Sequence, residues 1–465
     1  MNIISLFDSF VNYFSHFLSQ DSISLHDLEA NIIDATHNLN LETLASILEY
    51  IDLNYKLSDE RKLLFHVKET RTRTLITSLG LVTFNKTYYK SKSTVNGKHH
   101  YFSYIEDYLG VDKWAKMTLR AEVNIINNSL LVGMSWAANN TIPCTTISRQ
   151  TISKKIKNIN YNLTSNIIPS THTPDTLYIE ADEVHANLQR PNKNRIVPVI
   201  LTHEGHKEAF VNKKQLKNTH YIASSILQTD KLWNETYNFL DTKYDLAKVK
   251  YLFISGDGAP WIKQYLYCFP NAIYVLDKFH YRQSLNYIFK RDPLLTKLAD
   301  DYLRNRSVDA FKQLVTLQCE AFPHQSTKMI KQEKYLLNNI DGIINQRHPM
   351  YKCPCSMEGH ISNMYARFIT SRPHSYSLEG LENIVQLLTM KANGITLTED
   401  IFHQFKYGES TYHKLNLERF ISDFRLQASE LHNHLTKYNS TYSVDDSSFT
   451  SHDNYRLDFF LNKRP

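Results

Sequence analysis

Three acidic residues stand where a carboxylate is costly or unusual, and together they could hold metal. Asp182 lies in TLYIEADEVHANL, a stretch whose alternation puts Tyr178, Glu180, Asp182 and Val184 on one face of a strand. An acid buried there needs a cation opposite it. Asp257 follows the apolar run YLFIS and sits between two glycines in GDGAP, a strand-end position of the kind where open α/β sheets gather their chemistry. Glu358 opens the helical stretch CSMEGHISNMYARFITSRP. Three hard oxygen ligands suit a Mg²⁺ pair, which binds carboxylates and keeps its other positions for water and phosphate oxygens. Two such ions roughly 4 Å apart activate an attacking hydroxyl and stabilise the leaving oxygen of an in-line displacement at phosphorus. Each acid also has a plainer explanation. Asp-Gly is a common turn. Asp182 between Glu180 and Glu183 suits an exposed edge strand. Glu358 in a first helical turn complements the positive end of the helix.

The elements that must position these acids follow from periodicity. Residues 1 to about 75 carry apolar residues at helical spacing, as in Leu28, Ile32 and Ile33 or Leu44, Ile47 and Leu48. LVTFNKTYYKSKSTVNGKHHYFSY then alternates on both sides of Asn96-Gly97, which predicts a β-hairpin. Residues 112–160 return to helix. From Thr176 the texture is α/β: TLYIEADEVHANL, RIVPVILTHEG, VKYLFISGDGA and AIYVLDKFHY read as strands, the last two separated by a short helix, WIKQYLYCF. Tyr281 to Met350 is helical, and SLEGLENIVQLLTMKANG and NLERFISDFRLQASELHNHL are two further helices before a polar tail from about Ser440. In the helix after Cys355, Met357, Ile361, Met364, Tyr365 and Phe368 form the expected buried stripe, with Gly359 allowing close backbone approach.

With 465 residues the chain is too long for one ordinary core and is expected to fold as two or three domains. An apolar content of 42% with 12% aromatic residues excludes a disordered chain. The net charge of +6 favours a polyanionic partner, although the excess is spread along the chain. Five scattered cysteines make no disulfide framework, which points to a reducing, cytoplasmic setting. The apolar N-terminal MNIISLFDSFVNYFSHFLSQ lacks a basic start and carries Asp8 and His16, so it reads as an amphipathic helix rather than a signal peptide. No run approaches the ~18 apolar residues of a membrane span. Cys353-x-Cys355 with His360 lacks a fourth ligand and the usual Cys-x-x-Cys spacing, so zinc is not expected.

The order of the acids, one on an opening strand, one at the end of a later strand and one on a following helix, is that of the ribonuclease-H-like nucleotidyl transferases. The strings IEADEVH, ISGDGAPWIK, LDKFHY and CSMEGHISNMYARFITSRPHSYSLEGLENIVQL resemble the bacterial insertion-sequence transposases of the ISLre-two family, themselves similar to Mutator-like enzymes. The resemblance covers essentially the whole chain. It implies a DDE transposase that cleaves DNA at the ends of its insertion sequence and transfers the strand. Asp182, Asp257 and Glu358 would be its catalytic, metal-binding triad, with two Mg²⁺ ions, or Mn²⁺ in their place. Asp277-x-x-His280 would match the C/D-x-x-H signature of Mutator-like enzymes; His280 is either a core histidine hydrogen-bonded to Asp277 or to a backbone carbonyl, or a residue that contacts a substrate phosphate or orients the scissile strand. Asp182-Glu183 departs from the Asp-Gly usual in the family's first motif. The fold expected is α/β: a ribonuclease-H-like mixed sheet with a helical insertion, preceded by a helix-rich N-terminal DNA-binding region with a β-hairpin. Its divisions would be 1–110 (helices and hairpin), 111–170 (helix-turn-helix-like), 171–280 (first part of the core), 281–350 (insertion), 351–395 (helix carrying the glutamate) and 396–465 (C-terminal helices and tail). A structure-selective Mg²⁺-dependent nuclease and a non-enzymatic DNA-binding regulator derived from a transposase are the rival readings.

The implied partner is double-stranded DNA, both terminal inverted repeats and target, with no membrane. Joining two ends in one event implies at least a dimer on DNA. SWAANNTIPCTTISRQTISKKIKNI resembles the second half of a helix-turn-helix, whose outward residues would be Arg149, Gln150, Lys154 and Lys155. Arg149 and Gln150 would reach base edges and the lysines phosphates, although a basic helix is also an ordinary solvated face. Arg367 and Arg372, near Glu358, and Lys213, Lys214 and Lys217 would be further phosphate contacts. KHHYFSY could stack on nucleotides, but it reads better as a packed hairpin face.

Overall fold

A computed structural model gives the architecture. It describes residues 3–19, 23–95, 98–157, 159, 167–189, 194–207, 215–269, 271–370 and 375–407. The chain forms two compact units, one drawn from Met1–Thr118 and the other from Leu119–Ser410. The first break therefore falls after Thr118 rather than at 110, and the helices of 119–157 belong with the larger sheet instead of forming a unit of their own. The expected helix at 416–435, the tail, Asn96-Gly97 and Arg372 lie outside the described residues.

In the first unit the Leu25–Leu57 helix, capped by Ser24, packs on an antiparallel three-stranded sheet. Its strands are β1 (Phe65–Thr77), β2 (Gly80–Val95) and β3 (Lys98–Phe102). The helical expectation for residues up to 75 fails at Phe65. Threonines at 70, 72 and 74 alternate with charged residues there, and β-branched side chains prefer the pleated backbone. Thr72 pairs with Asn85 and Thr74 with Thr83 across the strands, and buried Asp52 of the helix accepts from the Thr87 amide at 2.9 Å. The KHHYFSY segment packs as expected: Phe102 meets Phe65, Tyr89 and Tyr55, and Tyr104 stacks on Tyr55.

The second unit is mixed α/β. Its five strands are β4 (Thr176–Asn187), β5 (Asn194–His203), β6 (His220–Ala223), β7 (Tyr251–Gly256) and β8 (Ala272–Leu276), arranged β6-β5-β4-β7-β8. β5 runs antiparallel to β4 and β6, whereas β7 and β8 are parallel to β4. The four strands expected here all form. The fifth, β6, is only four residues long, too short to show an alternation, and is defined by its pairing with Val199–Thr202. The Thr229–Lys243 helix covers the sheet with Trp233, Leu232 and Leu240, which share one core with Ile179, Leu252 and Ile254. That core continues into the helical segment after β8, through Leu285, Phe289, Phe311 and Leu336, so the insertion is fused to the sheet's hydrophobic interior. Among the described residues no helix is long and apolar enough to cross a membrane.

Candidate metal centre

Strand register sets the site. Ala181 of β4 pairs with Gly256 of β7, and Gly256 pairs with Leu276 of β8. The next residues are Asp182, Asp257 and Asp277, so three neighbouring parallel strands each present an acid one step past their last common pair. Gly256 is required at this crowded level: a Cβ there would lie 2.5 Å from Ile262 Cδ1 and 2.9 Å from the Ala181 carbonyl. Gly258 adopts φ +92°, which favours glycine, and its Cβ position is filled by the Asn339 amide. Asp257 Oδ1 accepts from the Ala259 amide at 2.9 Å, the turn-type bond an Asp-Gly sequence suggests, while Tyr335 of the insertion donates to the Asp257 carbonyl at 2.6 Å. The acid and the turn are the same structure.

Glu358 stands on a one-turn helix (Met357–His360) that widens into a π-helix over Ile361–Ala366. The wider turn moves the buried stripe: Met357, Ile361, Tyr365 and Ile369 are buried, while Met364 and Phe368 are only partly so. Nothing lies within 4 Å of a Cβ at Gly359, so close approach does not explain that glycine. Glu358 itself is exposed, and its carboxylate lies with those of Asp182 and the imidazole of His280 in a group whose ligand atoms are all within 4.8 Å of one another. Asp257 is not in that tight group. It is close enough to act on Asp182 through its charge.

His280 sits in the first turn of the Lys278–Ile288 helix, which Asp277 caps by accepting from the Phe279 amide at 3.3 Å. Its Nε2 is 3.8 Å from Asp277 Oδ2, an ion-pair separation rather than a hydrogen bond. The expected core bond to Asp277 is therefore absent, and the ring faces Asp182 and Glu358 instead.

Electrostatics mark Asp182. Burial pushes its carboxyl up to about 6; the charges of Asp257 and Glu358 push the same way, while the Glu183 amide and His280 oppose them. Burial also raises Glu183, with the Asp257 charge adding to it, and burial raises Asp277. Carboxyls crowded into one partly buried place favour protonation unless a cation joins them. Glu180, two residues before Asp182, is 1% exposed. It accepts from the Ser356 amide at 2.9 Å and lies 3.2 Å from His203 Nε2. His203 Nδ1 accepts from the Gly205 amide, so the ring proton is on Nε2 and points at Glu180. Sequence alternation placed Glu180 on the Asp182 face, but as a neighbouring acid it read as a sign of exposure.

The remaining expected contacts divide. Arg149, Gln150 and Lys154 are exposed at the Arg149–Lys157 helix, as expected. Lys155 is not an outward base: its Nζ pairs with the Glu122 carboxylate, 1% exposed inside the neighbouring Leu119–Val132 helix, where a carboxylate is costly without a cation or hydrogen-bond donors. Lys217 pairs with Glu204 at 2.8 Å, and Lys213 and Lys214 lie outside the described residues. Arg367 is exposed beyond the π-helix, with its guanidinium over the Phe368 ring.

A family model described as an uncharacterised protein family, UPF0236, matches residues 18–404. The chain belongs to UPF0236. Three UPF0236 proteins of Caldanaerobacter subterraneus subsp. tengcongensis are each 27% identical over 405 residues, spanning 86% of this chain and 84%, 80% and 85% of theirs. The matched span takes in Asp182, His280 and Glu358.

Proposed function

We propose that this UPF0236 protein is a DDE transposase with a ribonuclease-H-like core, cleaving DNA at the ends of an insertion sequence and joining the freed strand to target DNA. The observation that carries the reading is the convergence of Asp182, Glu358 and His280 within 4.8 Å, beside a strand register that sets Asp257 next to Asp182. The strand order, with one acid within the first strand of the sheet, one just past the end of the fourth and one on a helix after the fifth, agrees with that fold. The name of one relative joins eleven gene designations under a single protein, as expected of a gene that has multiplied within one genome. This too supports a mobile element of the ISLre-two kind.

The donor set fits a divalent ion. Ligand atoms on opposite sides of Mg²⁺ or Mn²⁺ lie about 4 Å apart, and exposed Glu358 is free to close the remaining gap by rotation. Asp182, Glu358 and His280 would hold one ion, and Asp182 with Asp257 a second. The bound metal supplies charge stabilisation at phosphorus and a lowered pKa for the attacking water or hydroxyl. The chain's own contribution is orientation. β4 and β7 fix two carboxylates at one level, Glu180 holds the start of the Glu358 turn, and Asp182, its carboxyl raised to about 6, would meet a cation largely in its ionised form at neutral pH. A dimer on DNA follows from the need to bring two ends together.

The test supplies DNA from the borders of the gene as pre-cleaved ends with a 3′-hydroxyl, together with a plasmid and Mg²⁺ or Mn²⁺. Joined product is expected from the native protein and none from Asp182→Asn, Asp257→Asn or Glu358→Gln, with end binding nearly unchanged. Nicking without joining would make it a nuclease, and full joining by Asp257→Asn would reject the triad.

A further inference from the structure

Lys278, Phe279 and Arg282 leave the helix that carries His280 and line an open cleft of about 870 Å³ whose other wall is Pro354–Cys355, the approach to Glu358. The cleft runs into a second of about 630 Å³ that shares Lys278, Arg282 and Arg291 and adds Lys297. Its charge is one-sided. Asp277 is tied up as the helix cap, and Asp300 is held by Arg304 at 2.8 Å, by Arg347 at 3.3 Å and by the Tyr281 hydroxyl. Among the described residues Lys278, Arg282, Arg291 and Lys297 form no ion pair, and all four are exposed. Lys290 and Arg291, at the end of the helix, have φ of +53° and +64°, a left-handed conformation that residues with a Cβ adopt only where the surroundings demand it. That turn brings both side chains to the cleft wall. At its mouth Phe279, half exposed, lies with its ring 5.3 Å from His280 in an edge-on arrangement.

We infer that this cleft binds one unpaired strand of DNA leading away from the metal centre, its phosphates on Lys278, Arg282, Arg291 and Lys297 and a base stacked on Phe279. The inference rests on the strand-transfer reading and gives the helical insertion a task within it. Unpartnered cations spaced along a groove match a phosphodiester backbone, and an exposed aromatic ring at the reactive end suits an unstacked base of any identity. A fully paired duplex offers its phosphates but no free base face, so the cleft should distinguish the two.

The test is fluorescence anisotropy in EDTA, with a labelled duplex carrying a short single-stranded tail, the same duplex blunt, and polyglutamate as competitor. The native protein should hold the tailed duplex at least tenfold more tightly. Arg282→Gln with Lys297→Gln, both exposed and so compatible with folding, should cancel most of that preference and reduce the salt slope by about 1.4, or about 0.7 per cation removed from a single strand. Phe279→Ala should weaken the tailed probe alone. Equal affinity for both duplexes, unchanged binding by the double variant with native melting behaviour, or displacement by polyglutamate as effective as by DNA would each overturn the inference. Because binding is read without metal, a protein that shows this preference yet never cuts or joins DNA would sink the transposase reading and leave the cleft assignment standing.

Discussion

The carboxylate of Glu180 accepts the backbone amide of Ser356 at 2.9 Å and its hydroxyl at 3.1 Å, tying strand β4 to the residue that opens the Glu358 turn. The two are 176 positions apart in the chain. The helix that carries Glu358 runs regularly for only one turn before widening, so its own hydrogen bonds cannot fix its start. A buried carboxylate with donors from Ser356 and His203 can. Asp182 and Glu358 are thus located by the same strand, one directly and the other through the Glu180–Ser356 contact.

Glu180→Gln keeps the shape but sets an NH₂ group against one of these donors. The expected loss is ~1–3 kcal/mol of stability, as for a buried donor left unsatisfied. Thermal stabilisation by Mn²⁺ should weaken along with it, because Glu358 loses its anchor, while Glu180→Ala should do worse on both counts. Thermal melts with and without Mn²⁺ give the comparison. A glutamine variant that melts lower but keeps the full Mn²⁺ shift would reduce Glu180 to a purely structural acid.

Lys154 and Lys155 are adjacent in sequence and should behave as opposites. Lys155 neutralises Glu122 inside the helical layer, with Lys406 as a more distant second cation at 3.8 Å. Removing it in Lys155→Gln leaves a buried charge under-compensated and should cost ~3 kcal/mol. Lys154 is exposed, so Lys154→Gln should change stability by no more than about 0.5 kcal/mol and show any effect in DNA affinity. Urea denaturation of the two single variants decides this. Equal stability of both would mean that the Lys155–Glu122 pair contributes little.

Much of the site was legible because its parts are local. YLFISGDG states a buried strand and the turn that ends it, and the alternation in YIEADEVH puts Glu180 and Asp182 on one face. The missing parts are those that only tertiary pairing creates. β1 looked helical because its alternating residues are threonines and charges rather than large apolar groups, and β6 is too short to carry a pattern. Lys155 lies in an amphipathic helix like any surface lysine, and nothing nearby announces that Glu122, 33 positions earlier, is buried beneath it. The π-turn after Glu358 shifts the buried face by a residue, which a 3.6-residue period does not anticipate. That His280 joins Asp182 and Glu358 more closely than Asp257 does depends on where the Lys278–Ile288 helix leaves β8, a geometric fact without a sequence signature.

Asp182 should make the metal-free protein less stable at neutral pH than in mild acid. Its carboxyl, raised to about 6 in the folded chain by burial and by Asp257 and Glu358, and lowered less by the Glu183 amide and His280, has an unperturbed value of 3.8. Between these values the folded state holds a proton that the unfolded state has lost. The stabilisation from this residue is therefore complete below about pH 4 and disappears as pH rises through 6. Two pH units correspond to at most ~3 kcal/mol, less where solvent screens the group. Asp182→Asn should be more stable than the native protein at pH 7 in EDTA, and the advantage should vanish near pH 4; urea denaturation across that range measures it. A cation reverses the sign, since it replaces the proton: Mn²⁺ should stabilise the native protein increasingly as pH rises past 6 and leave Asp182→Asn unmoved. Parallel pH profiles for the two proteins, with equal responses to Mn²⁺, would show that Asp182 is not the acid at which these charges converge.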